Sequence, residues 1–237
     1  MRRNYISLIF ACIMPAFILV AIPSMVCAQA VSTPIRDPDH LFEKSVCNWK
    51  QIKQVHIVMQ KRDYSCGAAA LATILRYYWG DNVTEDQILA VIEKMLTPEE
   101  MKDRIKKGLA ISDLRRASVE MGYLSSIGTL TFQKLSESKV PLIVGISPNG
   151  YDHFVVYRGM DCDWVYVADP IRGNIRISYI DFVRQWQKNA ILVVAKSDQE
   201  PPKTSPLSVH CYEVRLGELN KQVIRTQPEK IFTRPIP

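Results

Sequence analysis

Two hydrophobic rhythms follow one another along the chain. Between residues 66 and 122 the apolar positions recur at the spacing of a helix with one buried face. Cys66 to Tyr78 is the clearest such stretch: Ala69, Ala70, Ile74 and Tyr77 or Tyr78 share a face, and Gly80 follows as a stop. Thr84-Glu85-Asp86-Gln87 is a capping box before Ile88, Leu89 and Ile92. Thr97-Pro98-Glu99-Glu100 starts another helix with Pro at its first position. Ser112-Asp113 opens a fourth through Leu114 and Val119, and Gly122 ends it.

Beyond residue 140 the rhythm is that of strands. Leu142 to Ile146 is a buried-strand run. Phe154 to Tyr157 and Trp164 to Ala168, with a turn over Gly159 to Asp163, predict a hairpin. Ile175 to Ser178 continues the sheet, Tyr179 to Gln187 predicts a short amphipathic helix, and Ala190 to Ala195 a last strand. Val55 to Met59 is a further short strand candidate ahead of the first helix. Helices first and strands second predict an α+β fold, with a helical N-terminal half packed on an antiparallel sheet.

The flanks differ from this central stretch. Residues 1–28 have the form of a secretory signal: Arg2 and Arg3, an apolar run from Ile6 to Ile22, then Val26-Cys27-Ala28 or Ala28-Gln29-Ala30 as cleavage pattern. The run is broken at Pro15 and Pro23 and is short for a bilayer span, so removal is expected. No later segment is apolar for long enough to cross a membrane. The mature chain is therefore expected to be exported, periplasmic or secreted, with no stable span. Residues 29–50, with Pro34 and Pro38, are a lead-in; 51–196 form the domain. From 197 to 237, with Pro201, Pro202, Pro206, Pro228, Pro235 and Pro237 among charges, the tail is expected to be extended or weakly ordered.

The 237 residues suit one domain with extensions, and 47% hydrophobic content suffices for a core. A net charge of +6 could attract an acidic partner or an anionic surface. No compact Lys/Arg run interleaved with aromatics occurs, so nucleic acid is not an expected partner. Of the six cysteines, Cys12 and Cys27 leave with the signal. Cys47, Cys66, Cys162 and Cys211 remain, which in an oxidising compartment invites two disulfides. A free nucleophile at Cys66 leaves three, of which Cys47 and Cys211, on opposite flanks of the domain, could form a staple. No C-x-x-C occurs and the four His are scattered, so neither a zinc site nor another cofactor is expected.

The most informative stretch runs from Gln60 through Ser65-Cys66-Gly67-Ala68-Ala69. A cysteine in the first turn of a helix sits at the positive end of the helix dipole, which favours the thiolate. Gly67 is expected to leave the backbone beside the sulfur open to a substrate. A backbone N–H at this terminus can face a developing oxyanion, and Gln60 can bring a side-chain NH2 to the same point. A base is needed next. His153 begins an apolar strand after the turn Ser147-Pro148-Asn149-Gly150, and the neighbouring strand ends at Asp169-Pro170. In a hairpin both lie at one end of the sheet, where Asp169 could fix the imidazole tautomer. Nucleophile, base and orienter thus occur in the order Cys66, His153, Asp169.

Gln60 with Cys66-Gly67-Ala68-Ala69, His153-Phe154-Val155-Val156, Val167-Ala168-Asp169-Pro170 with Gly173, and Phe182 with Trp186 resemble the double-glycine leader peptidases. These enzymes process bacteriocin precursors and are similar to papain in fold. The resemblance spans about residues 53 to 196. It implies a cysteine peptidase with Cys66 as nucleophile, His153 as base, Asp169 as orienter and Gln60 as oxyanion donor. It also implies a peptide or protein substrate, cleaved after a Gly-Gly leader; export or surface-assembly machinery is expected separately as a partner. Two other functions use the same residues differently. A papain-like acyl or amide transferase would pass the acyl group to an amine rather than water. A non-enzymatic accessory protein would keep the fold alone.

Overall fold

The computed structural model describes residues 31–36, 41–46, 48–211 and 213–214. The signal segment 1–28, Cys47 and the end of the tail fall outside them. The chain divides into two units, Met1–Cys47 and Asn48–Pro237. The first contains an antiparallel pair, β1 (Val31–Arg36) and β2 (Leu41–Val46), with Val31 opposite Val46. No strand is expected in this lead-in from its sequence, because Pro34 lacks the N–H a ladder needs. In a two-stranded pair each strand has an outer edge, where that loss is tolerated.

In the second unit the order is α1 (Trp49–Lys53), α2 (Cys66–Tyr77), α3 (Glu85–Met95), α4 (Pro98–Lys107), α5 (Ile111–Glu120), β3 (Leu124–Thr129), α6 (Phe132–Ser136), β4 (Leu142–Ile146), a 3-10 turn at Pro148–Gly150, β5 (His153–Met160), β6 (Trp164–Asp169), β7 (Gly173–Ser178), α7 (Tyr179–Gln185) and β8 (Trp186–Ala195). The last six strands form one antiparallel sheet, ordered β3-β8-β4-β5-β6-β7. This is the α+β arrangement that the change of rhythm predicts.

The helix starts follow local chemistry. Thr84 with Gln87 and Thr97 with Glu100 form capping boxes for α3 and α4. The fourth helix begins slightly earlier than Ser112: Ala110 is its cap, and Asp113 reaches back to the Ala110 N–H at 2.9 Å.

The core lies on both faces of the sheet. On one, Ile143, Val156, Ala168, Leu192 and Val194 meet α2, α3 and α5. On the other, Val144, Ile146, Val155, Tyr157, Val165 and Val167 meet Leu135 of α6 and Phe182 of α7, with Trp186. Burial on two faces explains why β4 reads as an unbroken apolar run rather than an alternation. Helix α2 is buried from Cys66 to Leu75. Ala68, Ala69, Ala70 and Ala72 let it lie close against the sheet without losing helix propensity.

Three segments depart from the expected pattern. Val55–Met59 is not a strand: His56 has φ of 58°, which turns the chain, and Val58 gives its N–H to Thr73 Oγ1 at 3.0 Å instead of to a ladder. β3 is a strand that composition hides, an edge element of Leu-Ser-Ser-Ile-Gly-Thr mostly exposed and so without alternation. β8 begins already at Trp186 and bends where Lys188 and Asn189 take φ of 52° and 53°. Of the tail, the described part folds back: Leu207 is buried, and the half-buried Arg158 binds the carbonyls of Leu207 and Ser208 and the Glu213 carboxylate. Among the described residues no helix is long and apolar enough to cross a membrane.

Candidate active site

Cys66 is the first residue of α2 and only 4% exposed. The residue before it does not cap the helix. Ser65 Oγ turns back to Arg62, donating to its carbonyl at 2.7 Å and accepting its N–H at 3.2 Å. The amides of the first turn therefore have no side-chain acceptor and keep their affinity for a developing negative charge.

Gly67 serves a different purpose from the access expected of it. A Cβ there would stand 2.9 Å from Leu114 Cδ1 and 3.2 Å from Phe154 Cδ2. The glycine lets α2 close onto α5 and β5. Leu114 is wholly buried and cannot swing away. Gly67→Ala should lower stability by about 1–3 kcal/mol through overpacking, measured by denaturant unfolding; an unchanged midpoint would contradict this packing role.

His153 is the first residue of β5 and Asp169 the last of β6, so the antiparallel pairing brings both to one end of the sheet. His153 Nε2 lies 2.9 Å from Asp169 Oδ1, with the two residues 4% and 0% exposed. The other ring nitrogen, Nδ1, is buried and has no partner with full hydrogen-bond geometry, yet the Cys66 sulfur is near enough to interact with the ring. Asp169 occupies Nε2, so Nδ1 is the ring nitrogen without a hydrogen-bond partner.

Asp169 is held on several sides. Its Oδ1 also accepts the N–H groups of Ile171 and Arg172 at 2.8 and 3.1 Å, and Oδ2 accepts Arg172 Nε at 2.6 Å. Burial alone would raise its pKa, but His153 and then Arg172 and Ile171 bring it down to about 2. For His153, burial works downward, while hydrogen bonds to Asp169 and Cys66 carry it up to about 9. The carboxylate therefore favours the imidazolium form of the ring, and the ring favours the carboxylate.

The linkage runs in both directions. The raised His153 contributes stability in full below its ordinary value of 6.5 and loses it as the pH climbs through about 9. The lowered Asp169 contributes fully above 3.8 and loses it as the pH falls through about 2. Melting temperature should thus have a plateau in weak acid that declines on both sides. In His153→Gln the alkaline decline should be diminished; an identical alkaline profile would count against the raised imidazole.

Gln60 comes to the same end of the sheet through its backbone, donating its N–H to Pro170 O at 3.0 Å, one residue beyond Asp169. Its side-chain Nε2 donates to Arg62 O at 3.1 Å, which leaves one amide hydrogen, and its Oε1 is buried without a partner. Two neighbours were not legible in the sequence. Arg172 follows Asp169 by three residues, and Asp-Pro-x-Arg was the available clue. Tyr151 had none: its hydroxyl donates to Asp63 O at 3.2 Å and its ring centroid lies 6.2 Å from that of His153. The Tyr151 phenol is pushed upward by burial and then by negative charge at Cys66 and Asp63.

Among the described residues no cluster of three or more His, Cys, Asp or Glu could hold a metal ion. Cys162 and Cys211 are exposed free thiols; Cys47, the partner expected for Cys211, lies outside the described residues.

The Peptidase C39 family model matches residues 54–199. The probable functional amyloid protease FapD of Pseudomonas fluorescens is 39% identical over 150 residues, covering 60% of this chain and 62% of that protein. The match thus spans less than two thirds of that relative. FapD of Pseudomonas aeruginosa is 31% identical over 180 residues, covering 76% of this chain and 78% of the relative. The peptidase domain of Streptococcus ComA, a bi-functional ABC transporter involved in a quorum-sensing pathway, superposes with a TM-score of 0.50 at 18% identity, covering 60% of this chain and 98% of that domain. That last likeness is one of fold. The matched stretch covers more than half of the chain and takes in α2, β5 and β6, and the chain belongs to the peptidase C39 family.

Proposed function

We propose that the protein is a cysteine peptidase in which Cys66, His153 and Asp169 act as a triad and Gln60 supplies an oxyanion donor. The observation that carries this reading is the His153 ring, buried between the Asp169 carboxylate and the Cys66 sulfur at the start of a helix. An imidazolium beside the sulfur stabilises negative charge on it, and the thiolate is the attacking form. The sulfur adds to a peptide carbonyl; the carbon–sulfur bond forms and the carbonyl electron pair moves to oxygen. A first-turn amide of α2 and the remaining Gln60 Nε2 hydrogen receive that charge. His153 gives its proton to the leaving nitrogen as the carbon–nitrogen bond breaks. Water then cleaves the thioester with His153 as base, restoring the thiol.

The substrate is a peptide or protein. Its cleavage after a Gly-Gly leader follows from the resemblance to leader peptidases. The two relatives named probable functional amyloid proteases support a protein substrate connected with a functional amyloid, and export or surface-assembly machinery is the partner proposed with it. The signal-like residues 1–28 support the same side of the membrane, with 51–196 as the peptidase domain. Incubation with a peptide library in oxygen-18 water tests the reaction. New C-terminal carboxylates carrying the label are expected, even with a primary amine added. Amide products without label would assign a transferase, and no product at all an accessory role.

A further inference from the structure

Gln60 can serve an oxyanion only if its loop is held still. Helix α3 grips the two residues that follow it. Lys61 Nζ meets Asp86 Oδ2 at 2.5 Å, and Arg62 lies 3.9 Å from Asp86 and 3.6 Å from Glu93. These pairs are solvent-exposed and screened, and such pairs hold a loop weakly. Glu85 is different. It is 1% exposed, and both its carboxylate oxygens accept the backbone N–H of Lys61, at 3.1 and 3.2 Å. Among the described residues no Lys, Arg or His side chain forms an ion pair with it. The exposed Lys61 ammonium acts on it only from beyond ion-pair distance, and burying a carboxylate without a counter-charge in contact is costly. Helix α3 does not need it, since Thr84 and Gln87 already cap the start and Asp86 adds charge to the first turn. What the buried carboxylate does is fix one peptide group, the one joining Gln60 to Lys61. The other side of Gln60 is fixed by its own N–H on Pro170 O at 3.0 Å.

We propose that Glu85 is a positioning residue for the Gln60 arm: its buried carboxylate clamps the Lys61 N–H and so sets where the Gln60 amide meets the oxyanion. The inference rests on the thiol-peptidase reading above. It predicts a selective defect. Reactions at Cys66 that develop an oxyanion should need Glu85, and those that do not should be indifferent to it.

Two probes separate these. With acetyl-glycyl-glycinal the sulfur adds to the aldehyde carbon, and the oxygen gains a charge and then a proton from His153. With iodoacetamide the sulfur displaces iodide and no oxyanion forms. Glu85→Ala should weaken binding of the aldehyde about 10- to 100-fold, the range for losing a group that orients a functional side chain. Iodoacetamide should label Cys66 at a rate within about twofold of the native protein, because its attack needs only the thiolate. Glu85→Gln, which keeps an acceptor for Lys61, should restore most of the aldehyde affinity. Glu85→Asp, whose carboxylate is withdrawn by one methylene, should not. In a Gln60→Ala background Glu85→Ala should cost nothing further. Equal losses with both probes, undiminished aldehyde binding, or additive losses with Gln60→Ala would each overturn the proposal; if Glu85→Ala does not fold, Glu85→Gln and Glu85→Asp carry the same comparison. A native protein that reacts with neither probe refutes the peptidase reading itself.

Discussion

Cys66→Ala is expected to abolish peptide cleavage, a loss of roughly 10⁵- to 10⁶-fold, the size seen when a covalent nucleophile is removed from a triad. The protein should remain folded. Alanine fits inside the volume cysteine leaves, and position 66 continues an alanine-rich buried face that tolerates it. The loss should persist in the presence of added base, because Cys66 is the thiol that interacts with the His153 ring. Turnover assayed by mass spectrometry checks it, and cleavage that persists in the variant would place the nucleophile elsewhere.

Asp169→Asn should be nearly as damaging, lowering turnover about 100- to 10,000-fold. Asp169 takes the proton-bearing Nε2 of His153 and leaves Nδ1 for the sulfur. An asparagine can offer its NH2 to the ring instead, which selects the other tautomer and misdirects the base. The same change removes acceptor capacity used by Ile171 and Arg172, so stability should fall by about 1–3 kcal/mol as well. The two effects separate through Arg172→Ala. Arg172 is half exposed and touches the carboxylate oxygen that does not face the ring. That variant should lose stability with a much smaller fall in turnover. Similar turnover in native and Asp169→Asn protein, assayed well below both melting temperatures, would remove Asp169 from the machinery.

How much of this was visible beforehand depends on how local each cause is. Helices α2, α3 and α4 and strands β4 to β7 are written in short-range pattern: capping boxes, an alanine-rich face, apolar runs and a turn. Cys66, His153 and Asp169 could be gathered because each stands at the end of such an element, where pattern alone gives position. β3 stayed hidden because an edge strand facing solvent needs no alternation. Gln60 was a candidate by type, but the path of its loop is set from Pro170 and Glu85, far away in sequence. Glu85 itself reads as an ordinary first-turn acid until its burial is known. Gly67 is the instructive misreading. Its smallness reads from sequence as access for a substrate, whereas Leu114 and Phe154 occupy the space a side chain would need.

The proposed triad makes Cys66 an activated thiol paired with His153. Its most direct test is alkylation of the protein with limiting iodoacetamide at about pH 6, followed by mapping of the modified cysteines, since only a thiolate reacts at an appreciable rate there. Exposure alone favours Cys162 and Cys211, which lie at the surface, over Cys66 at 4%. An activated Cys66–His153 pair reverses that order: Cys66 is expected to be labelled first and to lose that priority in His153→Ala. Labelling that follows exposure, or a Cys66 rate indifferent to His153, would contradict it.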